Sequence, residues 1–318
     1  MWTDVLDRQK LVETAYQKGK KLALTNKYYL EWITTFFAKE YSDDVGAGDI
    51  TSKAVLKKNE PRKAFLKAKA SGTIAGIEEV TWFLRKHRLT VTVYKKDGEE
   101  ALRGETVLEI RGKQNDILAT ERIALNVLQR MSGIATETKH LTDLLTGYNT
   151  QVAATRKTLL RYLDKKAVFL GGGLTHRFGL WDSILIKDNH LETLKSEEID
   201  DYIEVALAKA SAFADTVGFI EIEVTSLEEA LRAARKFKNL RLKTTCVVML
   251  DNMSPREIER TLEALREETL YNDVLFEASG EITPKNIQEY AKTGIDVVSL
   301  GYLTHSANVL DLSLEMTI

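Results

Sequence analysis

The strongest constraint on the fold is a repeat of short apolar runs in the second half of the chain. These runs lie at Phe219–Val224, Thr245–Leu250, Val274–Ala278 and Val297–Leu300. Their starts are 26, 29 and 23 residues apart (245−219, 274−245, 297−274), and amphipathic segments fill the intervals over 227–238, 255–268 and 284–292. Because a parallel strand pair needs a crossover helix between its members, the repeat predicts βα units.

Further apolar runs raise the number of predicted strands to seven. They lie at Gln151–Ala154, Ala167–Leu170 and Ser183–Ile186. Seven strands come close to a (β/α) barrel but are one short of the eight that form it. An open doubly wound sheet is the alternative, and it is less favoured because no G-x-G-x-x-G turn follows a strand.

The first part of the chain has a different pattern. We predict helices over residues 5–41, with a break at Asn26, and over residues 115–145, with an interruption near Gly133. The segments between them alternate like strands, over 56–76, 88–98 and 104–113. We therefore expect helices on an antiparallel sheet in an N-terminal domain (1–145), a barrel domain (146–304), and a C-terminal tail (305–318) that packs on the first domain.

Composition excludes several classes of protein. With 45 Lys and Arg against 47 Asp and Glu, the net charge of −2 gives no global attraction to nucleic acid. The single cysteine, Cys246, cannot form an internal disulfide, and no Cys/His cluster is spaced to bind zinc. Since no run of about 18 apolar residues or signal peptide is evident, we expect a cytoplasmic protein that does not bind membranes.

Charged residues and glycines follow the predicted strands. Because active sites of parallel barrels form at the carboxyl ends of their strands, these positions are candidate site residues. Cations and carboxylates alternate along this rim, which favours a functional role over a purely structural one. The positions are Arg156 and Lys157, Lys187 and Asp188, Glu223, Asp251, Ser279 and Gly280, and Gly301.

Strand periodicity places Glu221 and Glu223 on the same face, opposite Ile220, Ile222 and Val224. Two carboxylates in a barrel interior require cations nearby, and we expect Lys187, Lys157 or Arg156 to supply them. We interpret Glu221 as part of a structural ion-pair network and Glu223, nearer the strand end, as functional.

The segment GGGLTHRFGL places three glycines before Thr175, His176 and Arg177. Glycines allow the backbone to approach a ligand, and Arg with His offers charge-assisted donors to a carboxylate or phosphate. Together with Lys187 they predict an anion pocket. Arg122 borders the apolar stripe of a core helix, where its residue type alone favours a structural pair with Glu121 or Asp116.

Taken together, the motifs resemble those of the quinolinate phosphoribosyltransferase family. The resemblance runs from about residue 38 to the C-terminus. It rests on eight ordered blocks: DDVGAGDITS, ATERIALNVLQRMSGIAT, ATRKT, GGGLTHRFGLWDSILIKDNH, IEIEVTSLEEA, VVMLDNMSP, LFEASGEIT and VVSLGYLTHS with LDLSL.

The resemblance implies a pentosyltransferase of NAD biosynthesis. Quinolinate and phosphoribosyl pyrophosphate would give nicotinate mononucleotide, pyrophosphate and carbon dioxide, with Mg²⁺. The implied fold is an N-terminal α/β sandwich followed by an incomplete, seven-stranded α/β barrel. The family forms homodimers or larger assemblies in which the partner's N-terminal domain covers each barrel mouth.

The resemblance also implies a role for each candidate residue. Arg156, His176 and Arg177 would bind the quinolinate carboxylates, with Arg122 reaching the same pocket from the neighbouring subunit. Lys157 and Lys187 would face the two substrates. Glu223 and Asp251 would lie by the ribose and would contact Mg²⁺ directly or indirectly. These two carboxylates and the two lysines would be the catalytic residues. Ser279, Gly280 and Gly301 would bind the 5′-phosphate together with Lys157.

The sequence departs from the family pattern at three points. TRKT is not followed by the usual Pro-Gly pair, Glu281 replaces a glycine in SGEI, and Thr175 stands where asparagine is common. These departures leave open a related phosphoribosyltransferase with a different acid substrate or without turnover. A Schiff-base lyase that uses Lys187 is a second enzyme class to be distinguished.

Overall fold

The computed structural model describes residues 5–317 of the chain. The helices are α1 (Val5–Tyr16), α2 (Lys27–Val45), α3 (Ile50–Val55), α4 (Ile77–Lys86), α5 (Gln114–Leu144), α6 (Arg161–Leu170), α7 (Asp188–Ser196), α8 (Tyr202–Ser211), α9 (Leu227–Leu240), α10 (Pro255–Glu267), α11 (Ile287–Lys292) and α12 (Tyr302–His305). The strands are β1 (Pro61–Ala68), β2 (Gly72–Thr73), β3 (Thr90–Val93), β4 (Glu100–Ala101), β5 (Thr106–Lys113), β6 (Gln151–Ala154), β7 (Ile184–Ile186), β8 (Phe219–Val224), β9 (Thr245–Asp251), β10 (Leu275–Ser279), β11 (Val297–Leu300) and β12 (Leu312–Thr317). Among the described residues, no helix combines the length and apolarity that crossing a membrane requires.

The chain divides into two compact units, which we call the barrel unit and the sheet unit. The barrel unit contains residues 5–18, 140–158 and 173–302, and the sheet unit contains residues 19–139, 159–172 and 303–317. These divisions differ from the predicted boundaries after residues 145 and 304. The main difference is α1, which belongs to the barrel unit.

An antiparallel sheet forms the centre of the sheet unit, with strand order β12-β1-β5-β3. Three of its strands, β1, β5 and β3, lie within the segments that were predicted as strands by alternation. Leu66 of β1 lies opposite Leu314 on one side and Leu108 on the other. The C-terminal tail thus contributes the edge strand β12 to this sheet.

The two predicted helix interruptions have different outcomes. Asn26 does separate helices, because its side chain accepts the first free N–H groups of α2 as an N-cap. The interruption near Gly133 is wrong, since α5 runs through it without a break. A Cβ atom at Gly133 would lie 1.9 Å from the carbonyl oxygen of Asn308. Glycine therefore allows the C-terminal segment to pack closely against α5.

Six parallel strands form the sheet of the barrel unit, in the order β6-β11-β10-β9-β8-β7. This sheet with its helices confirms the predicted partial α/β barrel. The predicted strand Ala167–Leu170 is wrong, because these residues end helix α6. Leu163 and Ala167 are buried four residues apart, a helical spacing. Beside β6 lies a single parallel bridge between Ala153 and Leu174 instead.

Helix α1 packs against the first residues of the barrel strands. Arg8 forms a buried ion pair with Asp296, with 2.9 Å from Nε to Oδ1. Farther along α1, apolar side chains complete a buried cluster with the strands. The members of this cluster are Val12, Ala15, Tyr16, Ala153, Leu174, Phe219, Val247, Leu275 and Val297. The helix therefore closes the amino-terminal end of the barrel strands, which we call the barrel floor.

Interior side chains change from apolar to polar along the barrel strands. Because side chains alternate along a strand, residues two apart share a face. The interior series are Phe219, Glu221 and Glu223 on β8, Leu275, Glu277 and Ser279 on β10, and Val297, Ser299 and Gly301 at β11. Apolar packing thus lies at the floor, while polar groups collect toward the carboxyl ends of the strands.

Candidate active site

An ion pair joins the ends of β7 and β8. The Nζ atom of Lys187 lies 2.8 Å from Oε2 of Glu223, so the sequence correctly predicts a cation beside this carboxylate. Burial lowers the pKa of Lys187, but the hydrogen bond and charge of Glu223 outweigh burial, and the pKa is raised. Burial raises the pKa of Glu223, and Lys187 opposes that effect. Lys187 therefore remains a cation at neutral pH.

The loops after β9 and β10 pack against each other beside this pair. The N–H of Asn252 donates to the carbonyl oxygen of Ser279 at 2.9 Å, and its side-chain amide donates to Asp251 at 2.6 Å. Gly280 has φ +93°, and a Cβ atom there would lie 2.1 Å from Oδ1 of Asn252. Only glycine combines this conformation with so close an approach, so the loop backbone is held at the strand ends.

Two arginines of the barrel unit interact electrostatically. Arg156 is exposed after β6, whereas Arg177 is buried and donates from Nη1 to the carbonyl oxygen of Ser183 at 3.2 Å. The pKa of Arg177 is lowered, first by burial and then by the positive charge of Arg156. Since two like charges repel, an anion between them would be favourable. This pair fits the predicted anion pocket.

Below the rim lies a buried cluster of His176, Glu221 and Glu277. Nε2 of His176 lies 3.4 Å from Glu221 and 3.3 Å from Glu277, and all three side chains are buried. Burial and the charge of Glu277 raise the pKa of Glu221 to about 7, against the effect of His176. Burial also opposes ionisation of Glu277, but His176 holds its pKa below the usual range. One proton on Glu221 thus relieves the repulsion between the two carboxylates.

The two ring nitrogens of His176 face different partners, the backbone of Arg177 and the two glutamates. The N–H of Arg177 donates to Nδ1 at 2.7 Å, so Nδ1 is an acceptor and the ring proton is on Nε2. Burial lowers the pKa of His176, but the charges of Glu277 and Glu221 raise it, and the net effect is an increase. His176 thus lies at ion-pair distance from two buried glutamates, and the three side chains form a buried charged cluster.

The arrangement corrects one expectation from sequence. Glu221 does belong to a structural network, but its partner is His176 instead of Lys187, Lys157 or Arg156. Nε2 of His176 faces the two glutamates, and its contact with a substrate carboxylate stays a prediction. His176 also supports its neighbour Arg177, and its positive φ of 54° marks a backbone that packing must hold.

The remaining predicted residues lie as follows. Lys157 is exposed beside Arg156, and Gly301 follows β11 at the same strand ends as Ser279. Arg122 is exposed on α5 of the sheet unit, and the structure describes it within that unit only. Glu281 is exposed, with φ +49°.

Sequence reasoning missed several polar residues of the barrel unit. Glu277 carries the same signal as Glu221, a glutamate within an apolar strand, and could have been found. Asn252 follows Asp251 directly but has no distinctive pattern. Tyr16 and Lys18 precede the recognisable motifs, so no motif points to them.

Comparisons with known proteins agree with this fold. Residues 49–132 match the family model described as quinolinate phosphoribosyl transferase, N-terminal domain, and residues 134–315 match the corresponding C-terminal domain. A protein of Methanothermobacter thermautotrophicus, described as a probable nicotinate-nucleotide pyrophosphorylase (carboxylating), is 39% identical over 277 residues, which are 86% of this chain and 95% of that protein. A protein of Archaeoglobus fulgidus with the same description is 39% identical over 258 residues, 80% of this chain and 94% of that protein. The crystal structure of NadC from Streptococcus pyogenes is similar at a TM-score of 0.79 and 35% identity, covering 90% of this chain and 96% of that one.

The pKa of Glu221 predicts a pH dependence of stability. Because the folded pKa of about 7 exceeds the ordinary 4.5, the bound proton stabilises the folded state fully below about pH 4.5. This stabilisation, up to about 3 kcal/mol, is lost as pH rises through 7. Glu221→Gln mimics the protonated form, so its Tm should fall less than the wild-type Tm between pH 5 and pH 8 in scanning calorimetry.

The control is Glu259→Gln, which changes an exposed glutamate of α10. It should keep the wild-type dependence of Tm on pH. An equal fall in Tm for Glu221→Gln and the wild type would contradict a raised pKa at Glu221.

Proposed function

The chain belongs to the quinolinate phosphoribosyltransferase family, and from this premise we propose that its reaction takes place at the charged rim of the barrel unit. The reaction is a pentosyl transfer of NAD biosynthesis. Quinolinate and phosphoribosyl pyrophosphate give nicotinate mononucleotide, pyrophosphate and carbon dioxide. The rim must therefore gather two anions that repel each other, which requires fixed cations.

The observation that carries this proposal is the electrostatic interaction between Arg156 and Arg177. Quinolinate has two adjacent carboxylates, and two guanidinium groups match them in charge and in planar donor geometry. Binding of the acid relieves the repulsion between the two arginines. Lys187, at the end of β7, contributes a third positive charge.

Carboxylates at the rim act on the sugar. As pyrophosphate leaves, positive charge develops at C1 of the ribose, and Glu223 with Asp251 stabilises it electrostatically. The raised pKa of Lys187 keeps its amine protonated. A Schiff-base lyase needs a neutral lysine nucleophile with a lowered pKa, so this ion pair favours transferase chemistry over the lyase alternative.

The 5′-phosphate is assigned to the loops after β10 and β11. Backbone groups at Ser279, Gly280 and Gly301 lie at neighbouring strand ends, where barrels commonly bind phosphate. Lys157 adds a positive charge from the loop after β6. Glu281 is exposed, and solvent screens its repulsion of a phosphate.

The transfer and the decarboxylation follow from one another. The ring nitrogen of quinolinate attacks C1, the bond from C1 to pyrophosphate breaks, and the ring becomes a cationic pyridinium. The adjacent carboxylate then leaves as carbon dioxide, and its bonding electrons remain on the ring carbon, which takes up a proton. Because the pyridinium accepts this electron density, the protein needs only to hold the acid in place.

We also assign Mg²⁺ to this rim. Mg²⁺ is usually held by one or two carboxylates together with substrate phosphates and water. Glu223 is already paired with Lys187, so Asp251 would be the main carboxylate to hold the ion. The ion would neutralise charge on the leaving pyrophosphate.

A direct assay tests the proposed function. With phosphoribosyl pyrophosphate and Mg²⁺, we expect quinolinate to give equimolar pyrophosphate and carbon dioxide, and nicotinate to give neither, because it lacks the carboxylate that is held and lost. Lys187→Met serves as the low-activity control. Equal or faster turnover of nicotinate would indicate a non-decarboxylating enzyme, and no turnover of either acid would refute the proposal.

The proposed function also predicts an active site that is shared between two subunits. We propose a homodimer in which Arg122 of the partner subunit completes the acid pocket. Arg122→Ala and Lys157→Ala should each be nearly inactive. After random exchange, half the dimers are mixed and carry one intact site, so activity should recover to about a quarter of wild type.

The matched control mixes Lys157→Ala with Arg177→Ala, which remove residues of the same barrel. That mixture should not recover. A lack of recovery for Arg122→Ala with Lys157→Ala, with subunit exchange verified by mass spectrometry, would contradict a shared site.

A further inference from the structure

Three residues near the N-terminus lie against the segment that carries Arg177. These residues, Tyr16–Lys18, precede the family-matched sequence, which begins at residue 49. We propose that they are positioning residues, which hold the segment 173–183 in the shape that binds the dicarboxylic acid. We call this segment the acid loop. The inference rests on the proposed function, because it assigns acid binding to Arg177.

Tyr16 contacts the acid loop through its ring and its hydroxyl. The ring meets His176 edge to face, with 4.8 Å between centroids, and stacks on Phe219 at 4.9 Å. The hydroxyl donates to Oε1 of Glu221 at 3.3 Å. Because Glu221 also faces Nε2 of His176, Tyr16 limits the movement of the imidazole both directly and through the glutamate.

Backbone groups add a second set of contacts. Thr175 Oγ1 donates to the carbonyl oxygen of Tyr16 at 2.8 Å and accepts from the N–H of Lys18 at 2.9 Å. The side chain of Gln17 donates to the carbonyl oxygen of Gly173 at 3.0 Å. The start of the acid loop is therefore tied to the chain that leaves α1.

The side chain of Lys18 holds the other end of the acid loop. Its Nζ lies 2.6 Å from Oδ2 of Asp182 and 3.2 Å from Oγ of Ser183, and both members of the ion pair are about nine-tenths buried. The same oxygen of Asp182 accepts from the N–H of Phe178 at 2.7 Å. Lys18 thus stabilises the turn that follows Arg177.

These contacts converge on Arg177. Its guanidinium is held by the carbonyl oxygen of Ser183, and its N–H by Nδ1 of His176. Lys18 contacts Ser183, and Tyr16 contacts His176. His176 has φ +54°, a backbone conformation that is unfavourable for a residue other than glycine unless surrounding contacts hold it. The N-terminal residues therefore supply support that the acid loop needs to present its arginine.

Lys18→Met tests this inference. It keeps the length of the side chain but removes the charge that holds Asp182. We expect the KM for quinolinate to rise about tenfold, since small displacements of a binding group are costly. The KM for phosphoribosyl pyrophosphate should stay within about twofold, because its phosphate groups lie on other loops. Lys18→Arg should restore most of the quinolinate affinity.

Lys10→Met is the matched control, the same substitution at an exposed position of α1. It should leave both KM values unchanged. If Lys18→Met does not fold, Tyr16→Phe tests the inference in its place, since it removes only a hydroxyl. This variant should raise the KM for quinolinate about threefold. Unchanged quinolinate KM, or an equal rise for both substrates, would overturn the inference.

The inference and the proposed function fail in different ways. Failure of the wild type to use quinolinate refutes the function. If the wild type uses quinolinate and Lys18→Met is as active as the wild type at low quinolinate concentration, only the positioning role is refuted. Calorimetric titration with quinolinate gives the same comparison of Lys18→Met and Lys10→Met without turnover.

Discussion

The cost of burying carboxylates organises the barrel unit. Glu221, Glu223 and Glu277 lie on interior faces of two strands, where an unpaired charge is strongly disfavoured. The molecule meets this cost in two ways. Near the strand ends, Glu223 is paired with Lys187. Deeper in the barrel, His176 lies at ion-pair distance from two glutamates, and a proton on Glu221 relieves the repulsion between them.

This arrangement separates stability from chemistry along each strand. Apolar side chains and α1 form the floor, the buried network lies above it, and charged side chains, both buried and exposed, lie at the rim. The network contacts the backbone from which Arg177 extends. Support for the anion pocket therefore comes from residues that a search for substrate contacts would omit, including Tyr16 and Lys18.

Local patterns predicted most of the fold and part of the site. The βα spacing gave the parallel strands, and alternation placed Glu221 and Glu223 on one face. Ala167–Leu170 was misassigned because four apolar residues fit a strand or a buried helix equally well. The partner of Glu221 could not be predicted, since His176 reaches it only through tertiary packing. The contacts of Lys18 are also hidden, because Asp182 lies 164 residues away.

The central claim is that a buried network of side chains holds Arg177 where it can bind a dianionic acid. Calorimetric titration of quinolinate into the wild type and Arg177→Ala tests this claim most directly. Losing a charge-assisted hydrogen bond of about 1.5–3 kcal/mol should raise the Kd at least about tenfold. Arg103→Ala, at an exposed position of the sheet unit, should leave the Kd unchanged. Equal Kd values for the wild type and Arg177→Ala would contradict the account.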